Sequence, residues 1–106
     1  MKMVRIHKLV AGDIKNLRLN LKIRVSELLD LLAAGEGLGM PMSRPMPNID
    51  TGVHELRLKD STGQYRVFYY TKVKGAILVF HFFKKKTQTT PKKEFETAKN
   101  RLRSML

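Results

Sequence analysis

VHELRLKDSTGQYRVFYYTKVKGAILVFHFFKKKTQTTP, residues 53–91, decides the fold. Residues 53–60 alternate, with Leu56 and Leu58 on one side and Glu55, Arg57 and Lys59 on the other, the period of a strand with one buried face. Ser61, Thr62 and Gly63 form a tight turn in which glycine supplies a positive φ. Residues 64–71 are rich in aromatic and β-branched side chains, and Lys74-Gly75 turns the chain again. Residues 76–83 are almost continuously apolar, as a central strand buried on both faces requires. The stretch therefore predicts a meander of three antiparallel strands.

On the C-terminal side, Thr90 and Pro91 read as a helix start, Thr90 capping and Pro91 taking the first helical position. Phe95, Ala98, Leu102 and Met105 then share one helical stripe, with Lys92, Lys93, Lys99, Arg101 and Arg103 largely off it. On the N-terminal side, Asp13 is expected to cap a short helix over 14–17, and Asn20 to cap a longer one. Leu21, Val25, Leu28, Leu29 and Leu32 make the longer helix's apolar face, and Gly35 ends it. Residues 3–9 read as a short strand or a lead-in to the first helix. Residues 35–50, with three glycines, three prolines and three methionines, read as a long loop packed on the core by its methionines. The expected fold is α+β: two N-terminal helices packed on a small antiparallel meander, plus a C-terminal helix, in one domain over 1–106.

Composition narrows the chemistry. Lys and Arg outnumber Asp and Glu by 21 to 9, a net charge of +12, which points to phosphate-bearing or otherwise acidic partners. There is no cysteine, hence no disulfide framework and no thiolate chemistry. His7, His54 and His81 lack metal-ligand spacing, so no metal or other cofactor is expected. GEGLG at 35–39 lacks the preceding strand and the spacing of a phosphate loop. Neither a signal peptide nor a membrane span is apparent, and a cytoplasmic location is expected.

What remains is a basic sheet. Arg66 shares a strand face with Gln64, Phe68 and Tyr70, and an arginine between aromatics is expected on the face left uncovered by the N-terminal helices; its alternative is a structural pair with Glu55 or Asp60. Arg57 and Lys59 share a face of the first strand, where they either meet a polyanion or are simply solvated. His81 reads in phase with Ile77, Val79 and Phe83, as a packed or a functional imidazole. Lys84, Lys85 and Lys86 leave the third strand together near Thr90 and a helix N-terminus, a favourable place for phosphate. Cations of this kind can cleave RNA: a base takes the 2′-hydroxyl proton, positive groups hold the crowded phosphorane, and an acid protonates the 5′-oxygen. Crowding by other cations makes a lysine a better base.

The blocks HELRLKDSTGQYRVFYY and ILVFHFFKKKTQTTPKKEFETAKNRL, with GLGMPMSRPM before them, resemble the phage-derived branch of the RelE/HigB-like toxins of the RelE/ParE superfamily. The resemblance covers nearly the whole chain from about Leu9 and implies two helices on a small antiparallel sheet, commonly with an extra N-terminal strand, for which residues 3–9 are the candidate. It implies a type II toxin: an endoribonuclease that cuts mRNA in the ribosomal A site of the 30S subunit and is silenced by a helix-turn-helix, HigA-like antitoxin. On that basis Arg66 is a phosphate and transition-state contact, Lys59 a candidate base and Lys85 the centre of the basic group after the last strand. Arg57, Lys84, Lys86, Thr90 and His81 are expected to bind RNA. A ParE-like gyrase inhibitor and a non-catalytic RNA-binding protein are the alternatives.

Overall fold

The structure, a computed structural model, describes all residues Met1–Leu106. Eight elements follow one another: β1 (Met3–Ile6), α1 (Lys8–Lys15), α2 (Leu19–Ala33), β2 (Ser43–Pro45), β3 (Val53–Asp60), β4 (Gly63–Tyr70), β5 (Ala76–Lys85) and α3 (Lys92–Met105). They build an α+β fold around one five-stranded sheet of order β1-β5-β4-β3-β2. The expected meander is its centre, β3 to β4 to β5, antiparallel throughout. No helix is long and apolar enough to cross a membrane.

Each face of the sheet is packed by helix. Val10 of α1 and Leu21, Val25, Leu28, Leu29 and Leu32 of α2 meet Leu56, Leu58, Val67, Tyr69, Ile77 and Val79 on one face. Each such fully buried aliphatic side chain contributes about 1.5–3 kcal/mol relative to exposure. On the other face Ala98 and Leu102 of α3, with Phe95 and Met105 beside them, pack on Phe68, Leu78 and Phe80. The end of α2 is as expected: Gly35, at φ 91°, follows the cap residue Ala34. Its N–H bonds to the Leu32 carbonyl and that of Glu36 to the Leu31 carbonyl, satisfying two terminal acceptors at once.

Several local expectations are corrected. The first helix begins at Lys8 rather than Ile14, and its cap is His7, whose Nδ1 accepts from the Leu9 N–H at 3.1 Å. Asn20 lies inside α2 and donates to Asp60 at the β3–β4 turn, 3.2 Å away. Of the two readings of residues 3–9, the strand is the one formed: residues 3–6 are β1, added parallel to β5. The long loop carries an edge strand, β2, paired antiparallel with β3, and Met46 anchors it in the core. Pro91, not Thr90, is the cap residue of α3, and no side chain caps that helix.

The largest correction concerns β5. Phe68 pairs with His81, but Tyr69 pairs with Val79, so Phe80 is an extra residue in the strand. This β-bulge turns both Phe80 and His81 toward α3. His81 is therefore on the opposite face from Ile77 and Val79, against the expectation of simple alternation.

Candidate nucleic-acid interface

Register sorts the basic residues more sharply than sequence could. On the face that α3 shares, three rows of side chains run across the strands. Lys59, Gln64 and Lys85 form the outermost row; Arg57, Arg66 and Phe83 form the next. Arg44, Glu55, Phe68 and His81 form the third. Strand spacing puts the members of a row about 5 Å apart and successive rows on one face about 7 Å apart. Four of the expected site residues, Arg57, Lys59, Arg66 and Lys85, thus meet at one end of one face.

Arg66 is not on an open face: it is only 3% exposed, as is Glu55. Of the two pairings weighed for it, the structure has Glu55. Arg66 Nε lies 3.7 Å and Arg57 Nε 3.9 Å from the same Glu55 Oε1. Neither distance is a hydrogen bond, and neither buried Nε has any acceptor in the protein. The outer nitrogens of Arg66 are held, Nη1 by the Tyr65 carbonyl at 3.1 Å and Nη2 by Gln64 Oε1 at 3.2 Å. Arg57 and Arg66 stand directly opposite one another. Such a like-charge pair is unfavourable, and Glu55 beside them offsets it.

The crowding has chemical consequences. Burial lowers the Arg66 pKa, with Glu55 opposing and Arg57 and Arg44 reinforcing that fall. Lys85 is likewise lowered, first by burial and then by Arg66, Arg57 and Arg44, against Glu55. A lysine so placed gives up its proton more readily than a free one. Beside the rows, a cleft of about 440 Å³ opens where β2 stops, between α2 and the residues around Met42.

The remaining expected contacts lie elsewhere. Lys84 points to the helical-hairpin face, its Nζ 5.9 Å from the centre of the Tyr65 ring. Lys86 is exposed past the end of β5, and Thr90 is half-buried before α3. His81, assigned to RNA, is buried beneath α3. Its Nδ1 accepts from Arg101 Nη1 at 3.1 Å, so the proton sits on Nε2, which donates to Glu94 Oε1 at 2.8 Å. Burial is the main cause of its lowered pKa, which Arg101 reinforces and Glu94 opposes.

Of the cluster's other members, Glu55 was weighed only as a pairing partner of Arg66, and Arg44 was missed. Glu55 is its only carboxylate, and the signal was its position in phase with Arg57 and Lys59. Arg44 enters through β2, whose three residues sit among prolines and gave no strand signal.

A family profile described as "Phage derived protein Gp49-like (DUF891)" matches residues 12–103. No curated protein matches the chain.

Proposed function

The chain belongs to the phage-derived Gp49-like family, within the RelE/HigB toxin-like group, and from that premise we propose that it is the toxin of a type II toxin–antitoxin system, a ribosome-dependent mRNA endoribonuclease. The observation that carries this is the meeting of Arg57, Lys59, Arg66 and Lys85 in two adjacent rows, with two buried guanidinium N–H groups lacking any protein acceptor. Buried guanidinium groups whose Nε atoms are held only by ion pairing to Glu55 mark a place where an ion or ligand can complete the bonding. A phosphodiester carries the matching charge and acceptors.

In the proposed reaction neutral Lys85 takes the 2′-hydroxyl proton as O2′ bonds to phosphorus. Arg57 and Arg66 hold the non-bridging oxygens, whose charge grows in the phosphorane. The P–O5′ bond then breaks, the 5′-oxygen receiving a proton from Lys59, to leave a 2′,3′-cyclic phosphate and a 5′-hydroxyl. Lys59 was expected as the base and Lys85 as the centre of the basic group; burial and the neighbouring arginines, which lower the Lys85 pKa, favour Lys85 as the base and leave Lys59 as the proton donor. Glu55 keeps the guanidinium groups turned toward the site. The ribosomal A site would supply the mRNA in a reactive geometry, which explains why so few protein groups suffice. A helix-turn-helix, HigA-like antitoxin would be the silencing partner, and the cytoplasm the site of action.

The test adds purified protein to programmed ribosomes and maps the mRNA 5′ ends by primer extension. Cuts confined to A-site codons are expected. Intact mRNA together with a loss of gyrase supercoiling activity would replace the endoribonuclease with a ParE-like inhibitor. Salt-dependent RNA binding without cuts would leave a binding protein.

A further inference from the structure

The cleft beside the cationic rows has a composition that phosphate contact does not explain. Its inner wall carries the cations Arg57, Lys59 and Arg66, and its apolar lining is Pro41 and Met42 from the loop, with the buried core residues Leu21 of α2 and Leu58 of β3. Arg24 of α2 and Gln64 also line it. A site for phosphate alone needs no apolar walls. A volume of about 440 Å³ falls within the roughly 300–1,000 Å³ of small-molecule sites.

Gln64 has a fixed orientation there. Arg66 can only donate, so Gln64 must turn its Oε1 to Arg66 Nη2, 3.2 Å away. Its amide NH₂ is thereby left as a donor pair with no other hydrogen-bond role. A nucleobase offers what these walls lack: flat faces for Pro41 and Met42, and ring or carbonyl acceptors for the Gln64 amide and Arg24. The cations at the inner wall fix where its phosphate lies.

We propose that this cleft is a nucleobase subsite, holding the base of a ribonucleotide that flanks the phosphate bound by Arg57 and Arg66, and that Gln64 and Arg24 set which base is preferred. This rests on the endoribonuclease assignment and adds the part of the site that selects sequence.

The experiment is an NMR titration of the ¹⁵N-labelled full chain with inorganic phosphate and, separately, with each of the four 3′-ribonucleoside monophosphates. Phosphate should move the amides of Arg57, Arg66 and Lys85. The nucleotides should also move Leu21, Arg24 and Met42, and at least one should bind about tenfold more tightly than phosphate, the order that one apolar or hydrogen-bonding contact supplies. Arg24→Ala, an exposed change on α2 that leaves the fold intact, should weaken the preferred nucleotide and not phosphate. Gln64→Ala should narrow the differences among the four and redistribute cuts among codons in the ribosomal assay. Nucleotides that bind no better than phosphate and leave the α2 amides unmoved would overturn the subsite while the endoribonuclease assignment stands. If phosphate too leaves Arg57 and Arg66 unmoved and ribosomal mRNA stays whole, both fall together.

Discussion

The two ends of one sheet face treat buried polar groups in opposite ways. Under α3, His81 is surrounded by Phe68 and Phe83, and both of its ring nitrogens are engaged, by Glu94 and Arg101. One row further along, past Phe83, Arg66 is as deeply buried as His81, yet its Nε and that of Arg57 have no acceptor in the protein. The helix that completes the first site does not reach the second. A polar group whose every bond is made inside the chain contributes to structure. One that is buried, charged and incompletely bonded costs stability, and it is retained where a ligand completes it. Position on the same sheet face, and even equal burial, does not separate His81 from Arg66; hydrogen-bond satisfaction does.

The comparison can be broken from either side. The largest effect is expected at the covered end: Phe68→Ala removes a fully buried ring touching Phe80, His81 and Phe83 and should cost about 3–5 kcal/mol in denaturant unfolding. A loss under 1 kcal/mol would mean that α3 is not packed as described. At the open end, Lys85→Arg keeps the charge but cannot supply a neutral base, and single-turnover cleavage should fall by about 100-fold or more. In the wild type the rate should rise with pH up to the lowered pKa of Lys85, and in the variant it should be flat. Wild-type rates in Lys85→Arg would make Lys85 an electrostatic contact only.

A smaller effect separates the ends by pH. The folded state holds His81 below its ordinary pKa of 6.5, so it refuses a proton that the unfolded chain accepts. The stability this represents is complete above about pH 6.5 and is lost as pH falls from there through the lowered folded value. Thermal melting should show that decline, and His81→Gln should shrink it. His7 and His54, also lowered mainly by burial, leave a residual slope. An unchanged decline in His81→Gln would show that the imidazole is not held neutral under α3.

Much of this was legible in the sequence because periodicity survives in it. The alternation at Leu56 and Leu58, the aromatic run of β4, the apolar run of β5 and the stripe Phe95, Ala98, Leu102 and Met105 each carry their own period, and each became the element expected. Alternation put Arg57 with Lys59 on one face and Arg66 between aromatics, but only the register brought these together with Lys85 and set Lys84 apart. What alternation cannot report is a break in itself. The extra residue Phe80 reverses the face of His81, and its sequence ILVFHFF gives no sign of where the bulge falls. β1 and β2 are too short, at four and three residues, to show a period, and each exists through its longer neighbour. Arg44 was lost with β2. Glu55 was visible as a polar residue on the right face, but its burial depends on Arg44 and Arg66 arriving from other strands.

The most direct test compares Arg66→Gln with His81→Gln in the ribosomal cleavage assay, each first shown by thermal melting to be folded. Removing a charged transition-state donor should reduce cleavage by about 100-fold or more in Arg66→Gln. His81→Gln should cut the same codons at a rate within about threefold of wild type, since substitutions whose polar groups serve only the fold act on stability. If His81→Gln loses cleavage as Arg66→Gln does, or Arg66→Gln retains it, the two ends are not divided between structure and function as described.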